Sequence, residues 1–274
     1  MIDIVGWVTF NNRSGTAFKE AKVKLMAGDV NKVQAQMPMP RMKAMAMAAP
    51  TMDEAVTEKS FDEFHLYTIA RPVTLRDQET KQVEFLRSNG VKAPKIFVYD
   101  GAMMNYGARN FYRGEGDYGV PTHKKVWVLR EFKNSAENRL GMALPKGRLR
   151  FYSQDDDGSL QFTGENQIDH TPKDETLRVY VGNSFDLIGE RRRTAYKIDN
   201  ANNRLDESFE IKVRNRKKEP VEIRVVEHLT RFDNWEVKEK SADFRKLDSH
   251  TIEFPVTLKP DEEKIVTYRV HYSW

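Results

Sequence analysis

Apolar and polar residues alternate with a period of two over most of this chain. Phe64, Leu66 and Thr68 interleave with His65, Tyr67 and Ile69, and the run Lys125-Val126-Trp127-Val128-Leu129 continues into Arg130-Glu131-Phe132. That period places successive side chains on opposite faces of an extended backbone, so these segments are expected to be strands. The same holds for Gly147 to Tyr152, Leu177 to Val181, Phe209 to Val213, Val221 to Val226, Thr251 to Phe254 and Ile265 to Tyr272, all rich in β-branched and aromatic residues. Helical spacing is scarce, and Asn, Gly, Asp and Pro punctuate the runs at intervals of about ten residues. The expected fold class is therefore all-β, built of antiparallel sandwiches.

The spacing divides the chain into an N-terminal β-sandwich over residues 1–186 and an immunoglobulin-like β-sandwich over 187–274. In the latter, strands are expected near 190–198, 207–214, 221–229, 234–239, 250–256 and 263–272. Its core is assigned to residues such as Phe209, Val225, Trp235, Phe254, Val266 and Tyr268. Two segments read as loosely repeated hairpins, Trp7–Gly15 leading to Ala21–Leu25, and Ile211–Pro220 leading to Val221–Val225. Between Gln34 and Met52, Met, Ala and Pro fill 14 of 19 positions. Pro38, Pro40 and Pro50 break any helix there, and the segment is expected to be an insertion between two strands.

Composition narrows the function classes. The 274 residues carry 45 Lys and Arg against 41 Asp and Glu, and a net +4 gives no argument for a nucleic-acid partner. There is no cysteine, which excludes thiol catalysis, disulfides and thiolate zinc sites. The chain has no run of about 18 apolar residues, the length a spanning helix needs. Met1 to Val8 lacks a basic leader followed by an apolar region, so no signal peptide is expected here. No nucleophile elbow, Walker loop or dinucleotide fingerprint occurs, and the six histidines stand apart from any metal-ligand spacing; neither a metal nor a cofactor is expected.

Several strings are more particular. Gly6-Trp7-Val8-Thr9, Asn12-Arg13-Ser14-Gly15 and Leu25-Met26-Ala27-Gly28-Asp29-Val30-Asn31 are followed by Phe64 to Leu75, Thr80-Lys81-Gln82-Val83, Leu144 to Tyr152 and Ile168 to Glu175. Together they resemble the C-terminal domain of the bacterial mucoidy inhibitor A-like family, a domain of unknown function, over nearly the whole chain. The resemblance implies an extracytoplasmic protein of the periplasm or cell envelope. It assigns no catalytic residue. Family members look like exported proteins in which a signal peptide, a β domain and a coiled coil precede this region.

Four segments are candidates for chemistry. From Tyr99 to His123, five glycines interleave with aromatic and charged residues; Tyr106, Arg109, Phe111, Tyr112, Arg113 and Tyr118 form the expected ligand- or partner-binding set, because Tyr and Arg can bond sugar hydroxyls and peptide amides. A loop packed over a sandwich edge by its own aromatics explains the same residues. Asp169, His170, Asp174 and Glu175 form a possible acidic cluster for general-base work, or a turn held by Asp and Thr side chains. Asp155-Asp156-Asp157-Gly158 lacks the spacing of a calcium loop and is expected to be a tight primed hairpin turn. In Arg191-Arg192-Arg193 alternation lets at most two of the three share a surface, which weakens a patch for phosphate or an anionic polymer. The leading reading is a non-catalytic binding or structural module with a protein or glycan partner and an open oligomeric state. The alternative is a carboxylate-dependent hydrolase acting on envelope polysaccharide.

Overall fold

The computed structural model describes residues 1–28, 57–103, 116 and 118–274. The Met-rich segment 34–52, and Tyr106, Arg109, Phe111, Tyr112 and Arg113, lie outside the described residues. The fold is all-β. Strands follow in the order β1 (Ile2–Asn11), β2 (Phe18–Ala21), β3 (Lys24–Ala27), β4 (Thr57–Phe61), β5 (Phe64–Thr68), β6 (Val73–Leu75) and β7 (Thr80–Val91). Next come β8 (Lys95–Asp100), β9 (Lys125–Lys133), β10 (Gly147–Gln154), β11 (Leu160–Ile168) and β12 (Thr176–Asp199). The last six are β13 (Arg204–Asn215), β14 (Val221–His228), β15 (Asn234–Lys240), β16 (Arg245–Lys246), β17 (Thr251–Leu258) and β18 (Glu263–Ser273). Every run read as a strand from its alternation is one.

Two compact units interleave along the chain. The first takes residues 1–93, 132–149 and 167–177; the second takes 94–131, 150–166 and 178–274. Residue 187 falls inside β12, so the two units do not meet at a single point in the sequence.

In the first unit β1 pairs antiparallel with β7, β2 with β6, and β5 lies between β3 and β4. Ile69, Val73 and Val83 form a small core against Phe10, Val23, Leu25 and Leu75. Tyr67 is buried beside it, donates its hydroxyl to the Ala143 carbonyl at 2.8 Å, and has its pKa pushed up to about 12 by burial and by the nearby Glu58 carboxylate.

In the second unit nine strands form one sheet in the order β15-β18-β13-β12-β9-β8-β14-β17-β16. The sheet folds over as a sandwich: Phe209, Ile211 and Val213 of β13 and Val266, Tyr268 and Val270 of β18 share one core with Ile223 and Val225 of β14 and Ile252, Phe254 and Val256 of β17. Each such side chain contributes roughly 1.5–3 kcal/mol by leaving water. β8 pairs in parallel with β14, bringing Phe97 opposite Ile223 and Asp100 opposite Val226.

Neither of the two expected hairpins forms. β1 turns to β7, and β13 pairs with β12 and β18 while β14 pairs with β8 and β17. The physical reason lies in the core: β13 and β14 both turn their apolar side chains inward from opposite layers, so the segment between them crosses the sandwich instead of folding back. What the two segments do share is a buried asparagine at a strand end. Asn12 donates to the carbonyls of Thr16 and Arg76, and accepts from the Ser14 amide. Asn215 donates to the carbonyls of Glu219 and Lys259 at 2.8 and 3.0 Å, and accepts from the Lys217 amide at 2.9 Å. Asn134, after β9, does the same with Met142, Pro172 and Gly141.

The turn at Asp155–Gly158 also differs from expectation. The Gly158 amide donates to the Asp155 carbonyl, the Asp155 amide donates to Ser159, and only Gly158 has a positive φ, of 85°. This is a type I turn followed by a left-handed glycine, which needs one residue of that kind where a primed turn needs two.

Replacing the buried Asn215 by Ala removes three part-buried bonds, to two carbonyls and one amide, and the expected loss is about 2 kcal/mol in urea unfolding. Asn138→Ala removes three similar but exposed bonds, two with the Lys92 backbone and one to the Lys133 carbonyl, and is expected to cost less than about 1 kcal/mol.

Candidate functional site

Charged residues occupy the inward phase of three strands at one end of the second unit's sandwich. On β13 the inward series Asn215, Val213, Ile211, Phe209 continues to Glu207, and on β14 the series Val221, Ile223, Val225 continues to Glu227. Both carboxylates are buried, Glu227 completely and Glu207 at 2% exposure. On β12, Arg191 and Arg193 point inward while Arg192 faces out to Glu210 at 3.1 Å, as strand alternation requires. Arg231, on the link after β14, completes the group.

Each buried charge is neutralised and fully bonded. Nε of Arg191 donates to both oxygens of Glu227 at 2.9 and 3.0 Å, and the Tyr268 hydroxyl donates to the same carboxylate at 2.6 Å. Arg231 holds Glu207 with two parallel bonds of 2.7 and 2.8 Å, and Arg193 reaches it at 3.3 Å. Aromatic faces cover the guanidinium groups: Arg191 lies 4.0 Å from the centre of the Phe209 ring and Arg193 4.6 Å from that of Tyr196. Burial opposes the Arg191 charge, but the Glu227 carboxylate overrides it and the pKa rises above the ordinary arginine value. Burial pushes the Tyr268 hydroxyl well above the usual range, with Glu227 adding to the rise.

The same three arginines hold the returning limb of the Tyr99–His123 segment by its backbone. Arg191 donates to the Gly119 carbonyl at 2.7 Å, Arg231 to that of Tyr118 at 2.8 Å, and Arg193 to that of Gly116. The root of the segment is pinned separately. Ala102 bridges Thr122, the Met103 amide donates to Pro121 at 2.8 Å, and the His123 amide donates to Gly101 at 3.2 Å. Tyr99 is a core residue: it is fully buried, donates its hydroxyl to the His123 carbonyl, and lies so close to Gly189 that a Cβ there would come within 2.2 Å of its ring. Tyr118 is half-buried, with its ring near Arg231 and its hydroxyl 3.2 Å from that of Thr230.

Beside this root, at the end of β8, Asp100 sits 2.9 Å from Nε2 of His228, the last residue of β14. That hydrogen bond raises the His228 pKa above the ordinary histidine value against the opposing effect of burial. Oδ1 of Asp100 is buried without a hydrogen-bond partner among the described residues.

In the first unit the Asp169–Glu175 stretch carries a turn at Lys173 and Asp174. Nδ1 of His170 accepts from the Lys146 amide, the Thr171 hydroxyl donates to the Asp169 carbonyl, and Asp174 adopts a left-handed φ of 67°. Asn134 and the 174–175 segment exchange two backbone bonds, from the Asp174 amide to Asn134 and from the Asn134 amide to Glu175. Asp169 lines an open cavity of about 460 Å3 with Lys146, Gly147, Arg148, Gln167 and Ile168, and among the described residues no three His, Asp or Glu side chains gather to hold a metal.

Sequence reasoning singled out the Arg191–Arg193 run and the aromatic segment separately and missed Glu207, Glu227 and Arg231. The signal was present, since both glutamates stand in step with core residues on their strands. No family model, no curated protein and no solved structure matches the chain.

Glu227→Gln leaves Arg191 buried without its counter-charge and is expected to cost about 3–5 kcal/mol in denaturant unfolding, against less than about 0.5 kcal/mol for the exposed Arg192→Ala. His228 has a raised folded pKa, so its contribution is full below the unfolded value of about 6.5 and is lost as pH rises through the folded pKa. The stability gap between the wild type and His228→Gln should therefore shrink from pH 5.5 to pH 8.5.

Proposed function

We propose that this chain is a non-catalytic binding module that presents the Tyr99–His123 segment, from one end of a β-sandwich, to a protein or glycan partner in the bacterial cell envelope. One observation carries the reading: three buried guanidinium groups converge on three backbone carbonyls of residues 116–119. A buried ion pair adds little stability over well-packed apolar residues, so two glutamates and three arginines in a sandwich core are costly as mere filling. Their geometry anchors the backbone at residues 116, 118 and 119. An anchored limb lowers the ordering cost of binding by the segment it belongs to, and Tyr, Arg and Gly in that segment suit hydroxyl and amide partners. The envelope location rests on the resemblance to the mucoidy inhibitor A-like family.

A glycan array and a peptidoglycan sedimentation assay test the reading. The Tyr106→Ala, Phe111→Ala, Tyr112→Ala triple variant is expected to lose binding at least about tenfold with an unchanged melting temperature. Equal binding by the triple variant and the wild type would reject presentation by this segment.

A further inference from the structure

Two rows of hydroxyl, imidazole and carboxylate lie in the second unit where β14 ends and β17 begins. His228 stands opposite Thr251, with Nδ1 3.5 Å from the Thr251 hydroxyl and Nε2 2.9 Å from Oδ2 of Asp100. His250, the residue before Thr251, repeats the order: Nδ1 lies 2.9 Å from the Ser249 hydroxyl and Nε2 3.2 Å from Oδ1 of Asp233. The second row is the tighter at its hydroxyl end, and a separation of 3.5 Å in the first leaves at most a weak bond. The backbone of the second row is fixed from three sides. The His250 amide donates to Oδ1 of Asp248 at 2.7 Å, the His250 carbonyl accepts from the Leu229 amide at 2.6 Å, and the Ser249 carbonyl accepts from the Trp235 indole at 2.9 Å. Ser249 itself is exposed, and the Asp233 side chain is 86% accessible.

A neutral imidazole carries its hydrogen on one nitrogen, and an ionised carboxylate can only accept. Asp233 therefore holds that hydrogen on Nε2 of His250 and leaves Nδ1 as the acceptor for the Ser249 hydroxyl. Nucleophile, base and orienting group stand in the sequence that activates a hydroxyl. We propose that Ser249 is an acyl-acceptor site, which takes the acyl group of an activated ester with His250 as general base and Asp233 as positioning residue. In that step Oγ of Ser249 bonds to the ester carbonyl carbon, and the bond from that carbon to the leaving oxygen breaks. The Ser249 proton passes through Nδ1 of His250 to the departing oxygen, so the products are an ester on Ser249 and a free alcohol. The exposed setting selects the substrate class. A hydroxyl open to water gains little of the stabilisation that a dry site gives a tetrahedral oxyanion, so the ester must bring a good leaving group and amides are left intact. The acyl group then stays on Ser249, because a serine alkoxide leaves far less readily than the activated alcohol did. The modification is stoichiometric, which agrees with a module that turns over no substrate, and it does not depend on what the Tyr99–His123 segment binds.

Treating the full chain with p-nitrophenyl acetate tests the proposal. Peptide mass spectrometry is expected to place an acetyl group on Ser249, with matching release of p-nitrophenolate, and Ser249→Ala should lose that label. His250→Gln should slow labelling of Ser249 about a hundredfold and remove its dependence on pH, which a purely structural role for the imidazole would not do. Asp233→Asn should slow it about tenfold, less than a buried orienting carboxylate would, because water screens an exposed one. Both variants are expected to keep the wild-type circular dichroism spectrum. Thr251, with its longer contact to His228, is the internal comparison and should stay unlabelled. Labelling of Ser249 no faster than that of Thr251, or a rate at Ser249 unchanged by His250→Gln, overturns the proposal.

Discussion

The organisation of the second unit depends on two carboxylates buried in a sandwich core. Glu207 and Glu227 are buried, and an unpaired charge in such a setting costs several kcal/mol. Their need fixes where Arg191, Arg193 and Arg231 must point, and the remaining N–H groups of those arginines then find acceptors in the backbone at 116–119. Core and surface are thus linked by single side chains. Each guanidinium bonds both a glutamate and a loop carbonyl, so lifting the backbone at 116, 118 and 119 away uncovers buried donors.

The asparagines play a smaller version of the same role. Asn12, Asn134 and Asn215 each end a strand and use the two donors and one acceptor of a neutral amide to fasten turns from other parts of the chain. An amide suits this task better than a carboxylate because carbonyl oxygens can accept only from donors. Recurrence of the device explains why the two segments resemble each other in sequence although neither folds as a hairpin.

Much of the fold was legible. Period-two alternation located strands such as β13, β14, β17 and β18, and five of the six core residues chosen in the C-terminal stretch are buried, with Trp235 packed at the margin. Pairing was not legible, because alternation says which face a side chain takes and not which neighbour the backbone bonds. The parallel contact of β8 with β14 joins residues more than a hundred positions apart. The site was read only in part for the same reason. Arg191 and Arg193 could be placed on one face by counting, but their partners lie 36 and 14 positions away, and Asp100 is 128 positions from His228. Glu207 and Glu227 were visible in principle as charges in apolar phase; expecting glutamate outside is what hid them.

The parallel pairing has a consequence for synthesis. β8 leaves the ribosome with one side of its backbone unsatisfied, and the strand that satisfies it, β14, follows only after more than a hundred further residues, on the order of ten seconds at ordinary elongation rates. During that wait Ile96 and Val98 lack Val226, and the open edge of β8 is exposed to wrong pairing until β14 arrives.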